Sequence, residues 1–218
     1  MYVILLGPPG VGKGTQGALL ADSMGWQRMV TGDLLRAAVD AGTALGHEAR
    51  QYMSAGELVP DHLIIEMVKE KLTALPARTG VLFDGFPRTA AQASAFSRML
   101  KALGLTIDRV VVLEASDEVL TERISSRRSC PSCGSVYNTV LAPPRTEGVC
   151  DDDGTLLVHR ADDTAATVQN RLNVYRRETE PLIAYYEGSK SILHHIESDQ
   201  GVDGVQAEVR DALGLALT

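Results

Sequence analysis

The sequence predicts an α/β fold in which helices cover both faces of a parallel sheet and one small domain is inserted. Three observations predict it. Short apolar runs alternate with longer stretches of helical period, a glycine-rich loop follows the first apolar run, and one segment shows no helical period. Such alternation is typical of right-handed βαβ units, because consecutive parallel strands need a crossover connection between them.

The predicted elements follow this alternation along the whole chain. Apolar or β-branched runs predict strands at residues 2–6, 28–30, 81–83, 109–113 and 191–196. Helical periodicity predicts helices at residues 13–24, 34–41, 45–55, 62–75, 90–103, 118–126, 164–187 and 202–213. The segment 129–163 contains the cysteines and several prolines and aspartates, and we interpret it as the inserted small domain.

Length, charge and cysteine content narrow the class of protein. A chain of 218 residues can bury one core of ordinary size. Its formal net charge of −7 argues against a nucleic-acid partner, because phosphates would be repelled over most of the surface. No apolar run approaches the roughly 20 residues that a membrane helix needs, and the 3 cysteines do not resemble a secreted disulfide framework. We therefore expect a cytoplasmic protein without a membrane or nucleic-acid partner. A monomer is also expected, although these features do not determine the oligomeric state.

A glycine-rich loop with one lysine follows the first predicted strand. The letters GPPGVGKGT place Gly7, Gly12 and Lys13 in the spacing G-x-x-x-x-G-K, between a strand and a helix. Glycines let backbone N–H groups turn toward an anion, the helix N-terminus adds a positive dipole, and the lysine contacts terminal phosphates. Gly14 stands where this motif usually has serine or threonine, and Thr15 follows it. The pattern predicts a nucleoside triphosphate site, and Mg²⁺ with it.

An acidic residue ends the third predicted strand. In VLFDGFPR, Asp84 stands where an acid of the Walker B type would hold Mg²⁺, through water because Mg²⁺ keeps much of its hydration. Four residues later, Arg88 could clamp a second phosphate with its planar guanidinium. An aspartate before glycine is also a common turn, so the phosphate loop upstream is what favours the metal interpretation.

The cysteines lie in two short turns of the inserted segment. Cys130 and Cys133 stand in CPSCG, and Cys150 begins CDDDG, in which Asp153 takes the place of a second cysteine. Two ligand pairs with this spacing are typical of a structural zinc site, here with one carboxylate in place of a thiolate. Thiolates favour Zn²⁺ over Mg²⁺, although Fe or Co could substitute. Free or transiently oxidised thiols are the alternative that these residues leave open.

Taken together, several stretches resemble the adenylate kinase family, which catalyses ATP + AMP ⇌ 2 ADP. They cover essentially the whole chain: GPPGVGKGTQ, TGDLLR, GELVPD, FDGFPRT with Gln92, ERISSRR, HRADD and RLNVYRRETEPLIAYY. The resemblance implies the P-loop nucleoside monophosphate kinase fold, with a five-stranded parallel sheet and flanking helices. It divides the chain into a core (1–30, 60–126 and 164–218), an AMP-binding arm (31–59) and a small zinc-ribbon-like lid (127–163).

The resemblance also implies which residues hold the nucleotides. On the ATP side these are Gly10, Val11, Gly12, Lys13, Gly14, Thr15, Arg123, Arg127, Val136, Tyr137 and Gln200. On the AMP side they are Thr31, Arg36, Glu57, Leu58, Val59, Gly85, Phe86, Pro87, Arg88, Gln92, Arg160 and Arg171. The residues that would act on the transferring phosphate are Lys13, Arg88, Arg127, Arg160 and Arg171. Some family members carry a metal in the lid, which supports the zinc interpretation.

Three other functions are alternatives to this one. A P-loop kinase for another monophosphate, such as GMP, UMP or CMP, would share the phosphate loop and the arginines. A nucleic-acid-binding protein with a zinc ribbon should have a basic zinc segment with several aromatic residues, whereas residues 129–163 carry many aspartates and one aromatic residue, Tyr137. No N-K-x-D motif is present, which argues against a GTPase.

Overall fold

A parallel sheet of five strands organises the molecule. The computed structural model describes residues 1–188 and 192–215. The strands of this sheet are β1 (Tyr2–Leu6), β2 (Gln27–Val30), β3 (Val81–Asp84), β4 (Arg109–Glu114) and β7 (Leu193–Glu197), in the order β2-β3-β1-β4-β7. Two further strands, β5 (Arg127–Ser129) and β6 (Val136–Asn138), form a separate antiparallel pair. The predicted fold class is confirmed.

Helices connect the strands and cover both faces of the sheet. They are α1 (Lys13–Met24), α2 (Thr31–Asp40), α3 (Ala44–Ala55), α4 (Asp61–Thr73), α5 (Ala90–Ala102), α6 (Asp117–Ser125), α7 (Ala165–Val174), α8 (Pro181–Glu187) and α9 (Val202–Ala212). A π-helical turn at Tyr175–Thr179 joins α7 to α8. None of the helices in the described part of the chain is both long and apolar enough to cross a membrane.

The alternation of side chains along β1 explains why the core has two halves. Ile4 belongs to one buried cluster, together with Phe83 and Phe96, while Val3 and Leu5 belong to another on the opposite face. Successive residues of a strand point to opposite faces of its sheet. A strand that is apolar on both faces therefore needs helices on both sides, as parallel sheets generally do.

The register of the central strands places the segments that form the candidate site next to each other. β1 pairs with β3 on one side and β4 on the other, and Leu5 of β1 stands opposite Asp84 at the end of β3. Because these strands are parallel, the segments that leave their carboxyl ends meet at one edge of the sheet. The phosphate loop after β1 and the segment 85–88 after β3 are therefore neighbours.

The largest difference from the predicted elements lies in the helix after the inserted segment. A single helix over residues 164–187 is wrong in its middle, where the N–H of Glu180 bonds to the carbonyl of Tyr175, 2.9 Å away and five residues back. Pro181 follows directly, and proline cannot donate the next helical bond. The helix continues beyond it as α8. The predicted start of the last strand at Ser191 lies outside the described residues.

The segment 129–163 contains no helix, as its lack of helical period predicts. Besides the β5–β6 pair, isolated bridges join Ser129 to Val158, Asn138 to Ala142 and Val149 to Leu156. Such a small sheet has little core of its own, so a further constraint is needed to order it.

Candidate active site

The phosphate loop takes a shape that only glycine permits at several positions. Gly7, Gly10 and Gly12 have positive φ values of 138°, 85° and 109°. A Cβ atom on Gly7 would lie 2.5 Å from the carbonyl oxygen of Leu113 in β4, and on Gly10 it would lie 2.6 Å from Cγ1 of Ile124. The loop therefore follows its path because these residues lack a side chain, and it ends at the N-terminus of α1, where backbone N–H groups favour an anion.

Lys13 folds back over this loop. Its Nζ donates hydrogen bonds to the carbonyls of Gly7, at 2.7 Å, and Pro8, at 2.9 Å. Desolvation lowers the pKa of Lys13 to about 8, and the positive charges of Arg88, Arg171 and Arg127 add to the shift, while Asp84 opposes it. Burial and the nearby arginines thus disfavour the charge of Lys13. The negative charge of a bound phosphate would raise its pKa again.

Asp84 lies directly beside the loop. It is the last residue of β3 and is 7% exposed. A Cβ atom on Gly14 would lie 3.8 Å from its Oδ2, so the carboxylate faces the first turn of α1. A buried carboxylate next to a phosphate-binding loop is the kind of ligand that Mg²⁺ takes through water. The residues present therefore fit the Mg²⁺ that the phosphate-loop pattern predicts.

A buried carboxylate gathers two arginines from separate segments. Arg127 makes a bidentate ion pair with Asp163, with its Nε 2.8 Å from Oδ2, and Arg171 Nη1 lies 3.0 Å from Oδ1. Asp163 is 2% exposed. Burial alone would raise the pKa of Asp163, but the hydrogen bond and charge of Arg127, with Arg171 and Arg160, lower it. The carboxylate therefore stays ionised and keeps the two guanidinium groups together.

Neighbouring arginines extend this positive region. Arg171 Nη1 also lies 3.2 Å from Asp162 Oδ2, and Arg36 Nη1 is 4.0 Å from the same oxygen. Arg160 donates from Nε to Ser129 Oγ at 2.8 Å. Desolvation lowers the pKa of Arg88 and of Arg160 to about 10, and nearby arginines contribute to both shifts. These arginines are therefore close enough for their charges to interact.

A cavity beside Arg88 brings together most of the residues that were expected on the AMP side. Nine of those twelve residues line it: Thr31, Arg36, Glu57, Leu58, Val59, Gly85, Arg88, Gln92 and Arg171. The other three lie elsewhere, because Phe86 is fully buried against Phe96, Pro87 is buried as well, and Arg160 faces Ser129. The wall also contains five residues to which the sequence had assigned no role, although three of them stand in the quoted stretches: Leu35, Met53, Gly56, Ile64 and Asp162. Most of these are apolar residues of helices, and the sequence alone does not distinguish an apolar residue that lines a cavity from one that packs in the core.

Gln92, at the start of α5, is held firmly in this wall. It is 2% exposed, its Oε1 accepts from the backbone N–H of Arg88 at 2.8 Å, and its Nε2 donates to Asp61 Oδ1 at 2.7 Å. Thr89 Oγ1 donates to Asp61 Oδ2 at 2.9 Å. The amide therefore has a defined orientation before any ligand binds.

The remaining residues expected on the ATP side are more dispersed than those of the phosphate loop. Arg123 donates to the Ser198 carbonyl at 2.6 Å and to the Val11 carbonyl at 3.4 Å, so it joins the phosphate loop to the segment after β7. Gln200 is exposed and donates to the Glu197 carbonyl at 3.0 Å. Val136 and Tyr137 lie on β6, and the Tyr137 hydroxyl is 3.5 Å from Cys150 Sγ.

The three cysteines and Asp153 form one compact cluster. One ligand atom from each lies within 4.8 Å of all the others, which is compatible with a tetrahedral zinc site, where thiolate sulfurs stand about 3.8 Å apart. The N–H groups of Gly134 and Gly154 donate to the carbonyls of Cys130, at 3.1 Å, and Cys150, at 3.0 Å, so two equivalent turns present the ligands.

The neighbouring aspartates support Asp153 as the fourth ligand. Asp151 Oδ1 accepts the backbone N–H of Arg145 at 2.9 Å, and Asp152 Oδ2 accepts the Ser135 hydroxyl at 2.5 Å. The backbone N–H of Thr155 lowers the pKa of Asp153, which favours the anionic form that binds a cation. The side chains present therefore fit a thiolate-rich metal site.

In comparisons with known proteins, the family model and the relatives described here all belong to one family. The family model for adenylate kinase matches residues 5–191. An adenylate kinase of Geobacillus sp. (strain WCH70) is 44% identical over 98% of this chain and 99% of its own length. Adenylate kinases of Archaeoglobus fulgidus and Bacillus subtilis (strain 168) are 45% and 44% identical, again over 98% of both chains.

Proposed function

Because this chain belongs to the adenylate kinase family, it is an ATP:AMP phosphotransferase, and we propose that the reaction occurs between the phosphate loop and the Gln92 cavity. The observation that carries this placement is the convergence of Lys13, Arg88, Arg127 and Arg171 in a chain of net charge −7. Only a ligand with several negative charges would balance such a cluster.

We assign ATP to the phosphate loop and the adjoining lid strand. Its phosphates would lie on the backbone of residues 10–15 and meet Lys13, Arg123 and Arg127. Its adenine would lie between Val136 and Tyr137 on β6 and Gln200 after β7. The link from Arg123 to both Val11 and Ser198 supports this assignment, because it joins the loop to the proposed adenine side.

We assign AMP to the cavity. The AMP phosphate would meet Arg36, Arg88 and Arg171, and the base would lie against Gln92 and Thr31. Glu57 to Val59 and Gly85 would contribute backbone walls, and Phe86 and Pro87 would shape the segment rather than touch the ligand. The positions of Arg88 and Gln92 on one cavity wall support this arrangement.

The chemistry needs no general base. The AMP phosphate is already an oxyanion, so one of its oxygens attacks the γ-phosphorus of ATP while the bond to the β-phosphate oxygen breaks, which leaves two ADP. Lys13 and the arginines stabilise the charge on the transferring group and hold the two oxygens in line. Closure of the lid would exclude water, which would otherwise compete as acceptor.

Two metals complete the proposal. Asp84 would hold Mg²⁺ through water, and that ion would neutralise charge on the β- and γ-phosphates when bound. Cys130, Cys133, Cys150 and Asp153 would hold Zn²⁺ with no open position, so that the metal orders the lid and takes no part in the chemistry. We retain the division into core (1–30, 60–126, 164–218), AMP arm (31–59) and lid (127–163) as part of this proposal.

A direct assay tests the proposal. The purified protein with MgATP and AMP should form two ADP, and the reverse reaction should regenerate ATP and AMP. GMP, UMP and CMP tested as acceptors under the same conditions should react far more slowly. Faster use of any of these would favour the alternative, a kinase for another monophosphate.

A further inference from the structure

Groups at both ends of the Gln92 amide determine its orientation. Oε1 accepts from the Arg88 backbone N–H at 2.8 Å, and Nε2 donates to Asp61 Oδ1 at 2.7 Å. A backbone N–H can only donate a hydrogen bond, and a carboxylate can only accept one. Turning the amide by a half rotation would therefore place donor against donor at Arg88 and acceptor against acceptor at Asp61.

Thr89 keeps Asp61 in place. Its hydroxyl accepts the backbone N–H of Gln92 at 3.1 Å, as the N-cap of α5, and donates its single proton to Asp61 Oδ2 at 2.9 Å. Asp61 itself is the first residue of α4, which packs against α5. Both carboxylate oxygens are therefore acceptors, and the backbone of two packed helices fixes where they stand.

This orientation defines what Gln92 can offer a ligand. An amide can donate two hydrogen bonds and accept two, and the described contacts use one of each, so one Nε2 proton and one Oε1 lone pair remain. Such a pair complements adenine, whose N1 accepts and whose 6-amino group donates. Guanine and hypoxanthine present the opposite pair, an N1–H and a 6-oxo group.

We propose that Asp61 determines base specificity: by holding the Gln92 amide in this orientation, it makes the cavity select a 6-aminopurine nucleotide over a 6-oxopurine one. The inference rests on the proposed function, in which the base of AMP lies against Gln92. Asp61 is a positioning residue, because it acts on the base through Gln92.

Asp61→Asn tests the proposal with a side chain of nearly the same shape. The Thr89 proton still points at position 61, so the introduced amide turns its oxygen toward Thr89 and its amino group toward Gln92. That arrangement favours the turned Gln92 amide. We expect the ratio of kcat/KM for AMP to that for inosine monophosphate to fall at least about tenfold, with KM for MgATP unchanged.

Asp61→Ala separates positioning from general damage. It removes the acceptor without favouring the turned amide, and the Arg88 N–H still orients Gln92, so the same ratio should fall only about threefold. A structural role would give the opposite order, because asparagine is the milder replacement. Glu66→Gln, on the exposed face of the same helix, is the matched control and should keep the wild-type ratio.

The outcomes distinguish this inference from the proposed function. A wild-type enzyme that makes no ADP from ATP and AMP would refute the proposed function. A wild-type enzyme that does so, with variants that keep the wild-type ratio or with alanine more damaging than asparagine, would overturn the role of Asp61. Assays at low temperature cover a variant of reduced stability, and an unchanged ratio in whichever variant folds is sufficient to overturn it.

Discussion

At the scale of single residues, Lys13 carries a charge that its surroundings disfavour. Desolvation lowers its pKa to about 8, so the free protein loses this charge as the pH rises through 8. The profile of kcat/KM reports ionisations of the free enzyme. We expect kcat/KM for MgATP to fall about tenfold per pH unit above that value, and kcat to persist to higher pH because bound phosphate raises the pKa.

Steady-state kinetics between about pH 6 and pH 9, below the pKa of about 10 of Arg88, provide the measurement, with AMP well below its KM for kcat/KM and saturating AMP for kcat. Lys13→Arg is the control, because arginine keeps its charge throughout this range, and its profile should be flat even if its rate is lower. Lys13→Ala should lower kcat by about 10³-fold, the size expected when a transition-state charge contact is removed. A wild-type profile without a fall would show that the Lys13 charge is not required for binding MgATP.

At the scale of elements, the bounds of a helix or strand can be predicted from the sequence when the residues that determine them lie close together in the chain. The bounds of β1 and α1 are confirmed to the residue, because an apolar strand, positive-φ glycines and a helix start lie consecutively in the chain. The start of α2 was predicted three residues late, since the helix begins at Thr31 after Val30, whose side chain makes no capping bond. The π-helical turn directly precedes Pro181, and the spacing of apolar residues, which predicts only a continuous helix, does not indicate it.

The site shows the same limit. Gln92 was expected on the AMP side, an assignment that stays a prediction, but its partner Asp61 lies 31 residues away along the chain. No local pattern indicates that these two side chains meet, because the packing of α4 on α5 brings them together. The metal cluster differs, since its ligands come in turns that can be read from a few consecutive letters.

The lid is the element whose stability should depend on metal. Elemental analysis should find about one Zn²⁺ per chain, and chelation or Cys130→Ser should lower Tm. Metal binding in small domains is coupled to folding, and peptides of this kind gain roughly 10–16 kcal/mol, of which only a part should appear in the unfolding of the whole protein. Activity should fall only partly at low temperature, because the phosphate loop and the cavity do not contain the ligands.

Asp153→Cys provides the matched variant, since it supplies a fourth thiolate and should retain the metal. Asp151→Asn is the control for charge, because Asp151 accepts a backbone N–H of Arg145 and lies outside the cluster. Either of two results would contradict the assignment: a folded preparation without bound transition metal, or metal removal that abolishes turnover while Tm is unchanged.

At the scale of the whole molecule, the cleft is rich in positive charge although the chain as a whole is negatively charged. The chain has a net charge of −7, yet several arginines lie together in its cleft. Desolvation lowers the pKa of Arg171, and repulsion from Arg127 and Arg36 lowers it further. Asp162 and Asp163 offset part of this repulsion. Phosphate groups can offset the rest, so substrate binding should add to the stability of the folded state as well as bring the reactants together.

A ligand that fills both nucleotide sites should therefore raise Tm strongly. Diadenosine pentaphosphate joins two adenosines through a chain of phosphates, and at about 1,000 times its Kd it should add about 4 kcal/mol to the free energy of unfolding, or roughly 8–16 °C in Tm. Thermal unfolding monitored by fluorescence measures this.

In Arg88→Ala at the same ligand concentration, each tenfold loss of affinity should reduce the shift by roughly 3–6 °C. AMP at equal concentration, which occupies one site, should give a smaller shift. A Tm that the double ligand raises no further than AMP does would mean that the phosphate loop and the Gln92 cavity do not act as one cleft.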